Sequence, residues 1–405
     1  MEVLLSKEEM FKNSYSHKLH KLKELLTPMD FSSSHFYFKP TKRDWEIIKR
    51  KITTVQLYIT NRCNSFCKIC FRKSSYYDFS QEMSKKDIIK ILRKIGKRKR
   101  VILIGGEPTI REDLFEIIKL IKKSGNYPEL FTNGLKLANP EYVKRLKDCG
   151  IKRVYLSFDG FRKNIYTIMN GNENELTLKL LALKNLEIFG IDVILSVRVV
   201  KNLNENEVKK IIEFCIVSAK RNSNIRGVYF YGATPYGRFL LKGATFSGVE
   251  LHNLLNKITN GVASLEYFIE LKKLYLNLHK FLSKFGVNIS FGSGGLIGIF
   301  KAGSIKRAFS IKFLKRINKK LENKKYFSFL FDIVRNRITR RALFNFFIKK
   351  DVIKSILLPR HFLLGFGEVN TPTNYKSMIV DNIGFEKYGR SLIVNIYGYS
   401  ASYMT

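Results

Sequence analysis

No apolar run in the chain approaches the roughly 18 residues that a membrane-spanning helix requires. Its amino terminus, MEVLLSKEEMFKNSYSHKLHKLKELL, lacks the basic, apolar and small-residue order of a secretion signal. These absences predict a cytoplasmic protein. Cysteine is scarce: five in 405 residues, with none in residues 1–62 and none after Cys215. In a reducing compartment so few thiols do not build a disulfide scaffold, and where they cluster they point to metal binding or catalysis. Repeats beyond a strand–helix period and low-complexity linkers are missing too. Acidic residues are few, 34 against 73 Lys and Arg, for a net charge of +39. Such a field attracts polyanions, either nucleic acid or the phosphate headgroups of a membrane leaflet. A compositional drift toward lysine would give the same excess. Hydrophobic residues make up 45% of the chain, with 32 Phe and 20 Tyr, which is ample for a large core and unlike a disordered chain.

From residue 54 onward, short apolar runs alternate with helical patterns. Strands are expected at TVQLYIT (54–60), RVILIGG (100–106), PELFTNG (128–134), KRVYLSF (152–158), DVILSVRVV (192–200) and GVYFYGA (227–233). Amphipathic stretches such as SKKDIIKILRKIGK and DLFEIIKLIKKSG lie between them. Six such units imply right-handed crossovers and a parallel α/β sheet, too few for a closed eight-stranded barrel, so an open partial barrel is expected. After about residue 240 the rhythm changes. Residues 238–360 carry 25 basic and 6 acidic side chains, and 304–350 interleave them with aromatics. This predicts a basic, mainly helical carboxyl-terminal extension, with an ordinary helical pair at 304–350 as the plainer alternative. The closing RSLIVNIYGYSASYMT reads as a strand that then stops. The expected division is a helical extension at 1–50, a core at 51–240 and the basic region at 241–405.

Three of the five cysteines fall in ITNRCNSFCKICF: Cys63, Cys67 and Cys70, spaced C-x3-C-x2-C. Thiolates are soft ligands that select zinc, copper(I) or iron–sulfur clusters. Three on one loop can hold three irons of a [4Fe–4S] cube and leave the fourth open, whereas structural zinc needs a fourth ligand that the loop does not supply. Ile69 takes the apolar place before the last thiol. Cys149 and Cys215 sit alone in helical patterns, as buried structural cysteines do. Other unusual residues collect where ligands gather in parallel α/β folds, at the carboxyl ends of strands. They are Gly105-Gly106-Glu107-Pro108, Thr132-Asn133-Gly134 and Ser157-Phe158-Asp159-Gly160.

ITNRCNSFCKICF, followed by GGEPT, TNG and SFDG on successive strand ends, resembles the radical S-adenosylmethionine (radical SAM) superfamily over roughly residues 51–240. The resemblance implies a partial (β/α)6 barrel and one [4Fe–4S] cluster on Cys63, Cys67 and Cys70. S-adenosylmethionine would chelate the open iron, and a reduced donor of ferredoxin or flavodoxin type would supply the electron. A 5′-deoxyadenosyl radical would then remove hydrogen from an unactivated C–H bond, in chemistry strictly sensitive to oxygen. By position, Gly105, Gly106 and Glu107 would bind the methionyl amino group, with Pro108 shaping the turn. Asn133, Ser157, Asp159, Ser196 and Arg198 become candidate contacts to ribose, carboxylate or substrate, although strand-end polar residues also serve as caps. Tyr229 and Tyr231 would flank the adenine or fill the core.

A nearer likeness, carried by YITNRCNSFCKICF, SFDGFRKNIYTIMNG, RVVKNLNENEVKKIIEF and GVYFYGATPYGR, is to the archaeal tetraether lipid synthase-like group. It implies radical chemistry on a membrane lipid or another long apolar chain, with the protein peripheral on the inner membrane face. Those relatives carry further cysteines before the motif and continue beyond the equivalent of SASYMT, so a simpler modification, a partner or a shortened copy is expected here. Two other functions remain open: radical modification of RNA or a peptide, and a non-catalytic relative that keeps the fold.

Overall fold

The structure is a computed structural model that describes residues 49, 54–70, 74, 82–221, most of 223–281 and 295–335, and strands at 362–367 and 393–397. The helical extension expected at 1–50 lies, apart from Lys49, outside the described residues. Strand β1 (Thr54–Thr60) leads into the cysteine loop, which ends in β2 (Ile69–Cys70). Then follow α1 (Lys85–Ile95), β3 (Arg100–Gly105), α2 (Leu114–Lys123), β4 (Tyr127–Thr132), α3 (Pro140–Cys149) and β5 (Arg153–Ser157). Next come α4 (Lys163–Asn170), α5 (Glu175–Ile188), β6 (Asp192–Val199), α6 (Glu205–Lys220), β7 (Ile225–Gly232), β8 (Arg238–Phe239) and α7 (Gly248–Ile258). The basic region supplies β9 (Gly295–Lys301), β10 (Ser304–Lys306), α8 (Ile311–Glu322), α9 (Tyr326–Arg335), β11 (Phe362–Gly367) and β12 (Ile393–Tyr397). Among the described residues no helix is long and apolar enough to cross a membrane.

All six expected strands form, and they lie side by side in chain order and parallel, as β1-β3-β4-β5-β6-β7. Sequential order with right-handed crossovers sends every helix to the same face. One core accordingly joins strand and helix residues. From the strands come Val55, Leu57, Leu103, Val154, Leu156, Val193, Leu195, Val197 and Phe230. From the helices come residues such as Ile88, Ile117, Leu146, Ile165, Leu186 and Ile211. The helices carry their own stop and start signals. Ser84 caps α1 by accepting from Asp87 N–H at 3.1 Å, and Asn139 with Pro140 opens α3, which ends on left-handed Gly150. Cys149 and Cys215 are buried, as expected.

The carboxyl-terminal region keeps its expected helices and its closing strand, β12, and adds strands that the sequence does not announce. Its helical pair is present as α8 and α9, but the region also supplies sheet. β11 joins β7 in parallel, β9 and β10 extend that edge antiparallel, and β12 pairs with β1 at the other edge. An open sheet leaves rows of N–H and C=O groups at both edges, and these strands cover them.

The face away from the helices carries charges near the amino-terminal ends of its strands. Arg100, Glu129, Arg153, Asp192 and Arg226 alternate in sign from β3 to β7. Arg100 grips Glu129 with two bonds of 2.9 and 2.7 Å, and Arg226 meets Asp192 at 2.8 Å. Burial alone would raise the Glu129 carboxyl, but Arg100, Arg153 and the Tyr155 hydroxyl outweigh it and hold the group below its usual range. A depressed folded value stabilises the fold in full above the unfolded value, about 4.3, and the benefit is lost as pH falls through the folded value. We therefore expect unfolding free energy to decline on acidification below about pH 4. Glu129→Gln should flatten that decline and lower stability at neutral pH, as denaturant titrations across pH will reveal; an unchanged acid limb would refute the assignment.

Candidate functional site

The cysteine loop and the glycine turn after β3 are tied together by main-chain bonds. Gly106 N–H donates to the Thr60 carbonyl at 2.9 Å, and Glu107 N–H donates to the Arg62 carbonyl at 2.7 Å. A Cβ on Gly105 would lie 2.1 Å from the Thr60 oxygen, and one on Gly106 would lie 2.2 Å from the Arg62 oxygen. No side chain fits in either place, so the glycines are dictated by the neighbouring loop as well as by anything bound there.

Glu107 is fully buried. Its Oε1 accepts from Thr109 N–H at 3.0 Å and from the Thr109 and Thr132 hydroxyls at 2.7 Å each, while Oε2 accepts from Asn133 N–H at 2.6 Å. Burial pushes the carboxyl up, and these four bonds oppose the rise. The carboxylate therefore braces the ends of β3 and β4 from within. Pro108 opens a single 3-10 turn.

The remaining candidates surround the same loop. Asn133 donates to Asn64 Oδ1 at 2.8 Å and accepts from Leu135 N–H. Ser157 and Ser196 are register partners on β5 and β6, both half-buried. Arg198 reaches back to the Ile69 carbonyl at 2.7 Å, and its own N–H donates to Asp159 Oδ1 at 2.8 Å. Asp159 is buried, and burial raises its carboxyl against the opposing charges of Arg198 and Lys179. Tyr229 and Tyr231 sit half-buried on β7, their rings 6.5 Å apart.

Several residues that hold the loop are not among those the sequence singles out. Ser65 donates to Glu175 Oε1 at 2.9 Å and lies 3.5 Å from Cys67 Sγ. Lys179, buried on α5, donates to the Asn133 and Ser157 carbonyls at 2.7 and 2.9 Å. Arg238 donates to the Cys67 carbonyl at 2.8 Å and lays its guanidinium 3.7 Å from the Phe66 ring centroid. β8 pairs Arg238 with Cys70 and Phe239 with Ile69. The one local signal is on α5, where Glu175 and Lys179, with Asn185, interrupt a buried stripe of Leu176, Ala182, Leu183 and Leu186.

The donor set fits an iron–sulfur cluster. Burial first, then the charge of Glu107 and the other two thiols, pushes the Cys63 thiol above its ordinary value, and burial does the same to Cys67, with Ser65 and Arg198 opposing. Buried thiols such as Cys63 and Cys67, which resist ionisation alone, become thiolates beside a cationic iron centre. Among the described residues no three His, Cys, Asp or Glu side chains converge as ligands of a single ion do.

Residues 57–215 match the family model described as the radical SAM superfamily. The 7,8-dihydro-6-hydroxymethylpterin dimethyltransferase of Methanocaldococcus jannaschii is 36% identical over 196 residues, which cover 46% of this chain and 38% of that protein. A probable GTP 3′,8-cyclase of Thermococcus kodakarensis is 32% identical over 168 residues, covering 41% and 53% respectively. The chain thus spans about half the length, or less, of these relatives. Among solved structures, Streptococcus suis SuiB bound to S-adenosylmethionine aligns with a TM-score of 0.43 at 16% identity, covering 62% of this chain and 58% of that one.

If Glu107 is a brace, Glu107→Gln places an amide N–H₂ against groups that already donate. The expected cost is about 2–4 kcal/mol in unfolding free energy. Chemical denaturation will measure it, and a loss under about 0.5 kcal/mol would contradict the brace.

Proposed function

Since residues 57–215 form a radical SAM domain, we propose that this protein generates a substrate radical by removing hydrogen from an unactivated C–H bond. The observation that carries the proposal is the bonding of the three-cysteine loop to the GGEP turn and to the ends of β4 and β6. A [4Fe–4S] cluster with S-adenosylmethionine supplies, when bound and reduced, the 5′-deoxyadenosyl radical that does this. Cys63, Cys67 and Cys70 would hold the cluster. Gly105 and Gly106 would present main-chain carbonyls to the methionyl ammonium, with Glu107 fixing their place. Asn133, Ser157, Ser196 and Arg198 would meet ribose, carboxylate or substrate, and Asp159 would orient Arg198 through its main chain. The electron would come from a ferredoxin- or flavodoxin-type donor.

For the substrate, our first reading is a membrane lipid or another long apolar chain. It is supported by a belt on the helix-free face, where Tyr58, Ile102, Phe131, Tyr155, Ile194 and Tyr229 lie between the cysteine loop and the charged rim. A planar heterocycle of the kind named for the two relatives is the second reading, favoured by the number of aromatic rings in that belt.

Anaerobically reconstituted protein should bind about four irons and release 5′-deoxyadenosine when reduced. Cys67→Ala should lose the iron and cut release by on the order of a hundredfold. Parallel incubations with polar lipid, a dihydropterin, GTP and RNA will separate the substrate readings by which one stimulates release. Stoichiometric zinc without iron, or full activity after prolonged exposure to air, would overturn the proposal.

A further inference from the structure

Helices α8 and α9 form a hairpin closed by Asn323–Lys325 and held by Asp332, which meets Lys320 at 2.7 Å and Arg316 at 3.1 Å. Its inner side belongs to a second, smaller core: Phe313, Leu314, Ile317 and Leu321 of α8 and Phe329 of α9 pack with Tyr267, Leu274 and Phe281. The outer side is unusual. On α8, Lys312, Lys315, Arg316 and Lys319 fall at i, i+3, i+4 and i+7, so one exposed stripe is basic over two turns before it ends at Glu322. On α9, Phe327, Leu330 and Phe331 fall at i, i+3 and i+4 and are 92%, 43% and 66% exposed. They lie on the side opposite buried Phe329. Lys324, Lys325 and Arg335, all exposed, stand at the two ends of that apolar stripe.

Two large rings and a leucine held side by side in water are costly unless something covers them. The adjoining cations say what kind of surface that is. Glu266 and Asp332 offset Lys315 and Arg316, and Glu322 is the one exposed acid on α8 or α9, so the exposed Lys312, Lys319, Lys324, Lys325 and Arg335 leave a net cationic excess. An apolar stripe flanked by lysine and arginine is the pattern of a helix lying in a bilayer interface, with rings at the acyl boundary and cations at phosphates. Single-stranded RNA takes a groove in which rings stack on bases, whereas this stripe is the outer side of a helix and includes a leucine, which cannot stack.

We propose that the outer side of the α8–α9 hairpin docks this protein on an anionic lipid surface. Docking is measured without turnover, so the inference stands or falls separately from the radical chemistry and from its substrate.

The test is co-sedimentation of the full chain with vesicles of phosphatidylcholine alone or mixed with phosphatidylglycerol. Binding to the anionic vesicles should be at least about tenfold tighter and should weaken with salt. Phe327→Ser with Phe331→Ser should weaken it by about tenfold, and Lys312→Gln with Lys319→Gln should remove most of the preference for anionic lipid. Both pairs are exposed, and unchanged thermal melting will show that the fold survives. Equal binding to neutral and anionic vesicles, or wild-type binding by the Phe variant, would overturn the proposal. So would a dimer in sedimentation that the Phe variant disperses, or an RNA oligonucleotide that binds only while Phe327 and Phe331 are present and that displaces vesicles.

Discussion

The cysteine loop has no regular structure of its own beyond two residues of β2, so its shape is borrowed from what it touches. The decisive contact is the pair of main-chain bonds from Gly106 and Glu107 to the Thr60 and Arg62 carbonyls. They exist because two successive glycines let the turn after β3 come within a distance that no Cβ tolerates. Once that turn is seated, Glu107 points inward, and a buried carboxylate with four donors fixes the ends of β3 and β4 together. A carboxylate in such a place is tolerable only when fully bonded, so the brace is all or nothing. The end of β4 then offers Asn133 to Asn64, and β6 offers Arg198 to Ile69. Placement of three thiols thus descends from a glycine pair and one acid.

Much of this is legible in the chain. The six strands are runs of β-branched and aromatic residues bounded by turn residues, and each appears within about two residues of its expected limits. The helices announce themselves by caps such as Ser84 and Asn139 and by apolar residues at helical spacing. Cys63, Cys67 and Cys70 are legible because all three ligands lie within eight residues and need no tertiary information.

What escapes a reading of the chain has a common cause. Arg238 lies 171 residues from Cys67, and Glu175 lies 110 from Ser65; a hydrogen bond across such a span leaves no periodicity behind. Edge strands escape for a related reason. β9, β10 and β11 are defined by pairing along the edge that β7 leaves open, with partners distant in the chain, so their apolar residues read equally well as helix or loop. Glu107 shows the same limit at a single residue. A carboxylate in a ligand-binding turn suggests an outward salt bridge, but here its full complement of donors is internal, and the free chemistry of the turn is main-chain.

The large positive charge divides along similar lines. Across the sheet the charges alternate from Arg100 to Arg226 and largely neutralise one another, so they contribute cohesion rather than a field. On α1 the exposed Lys86, Lys90, Arg93 and Lys94 have no exposed apolar neighbours on the same helix, which is what compositional drift toward lysine produces. The α8–α9 hairpin differs from both. Drift can add cations to a solvated surface, but it gives no reason to hold Phe327 and Phe331 in water beside them. Solvation disfavours that pairing on its own. A second medium, apolar below and anionic at its rim, makes both halves of the pattern favourable at once.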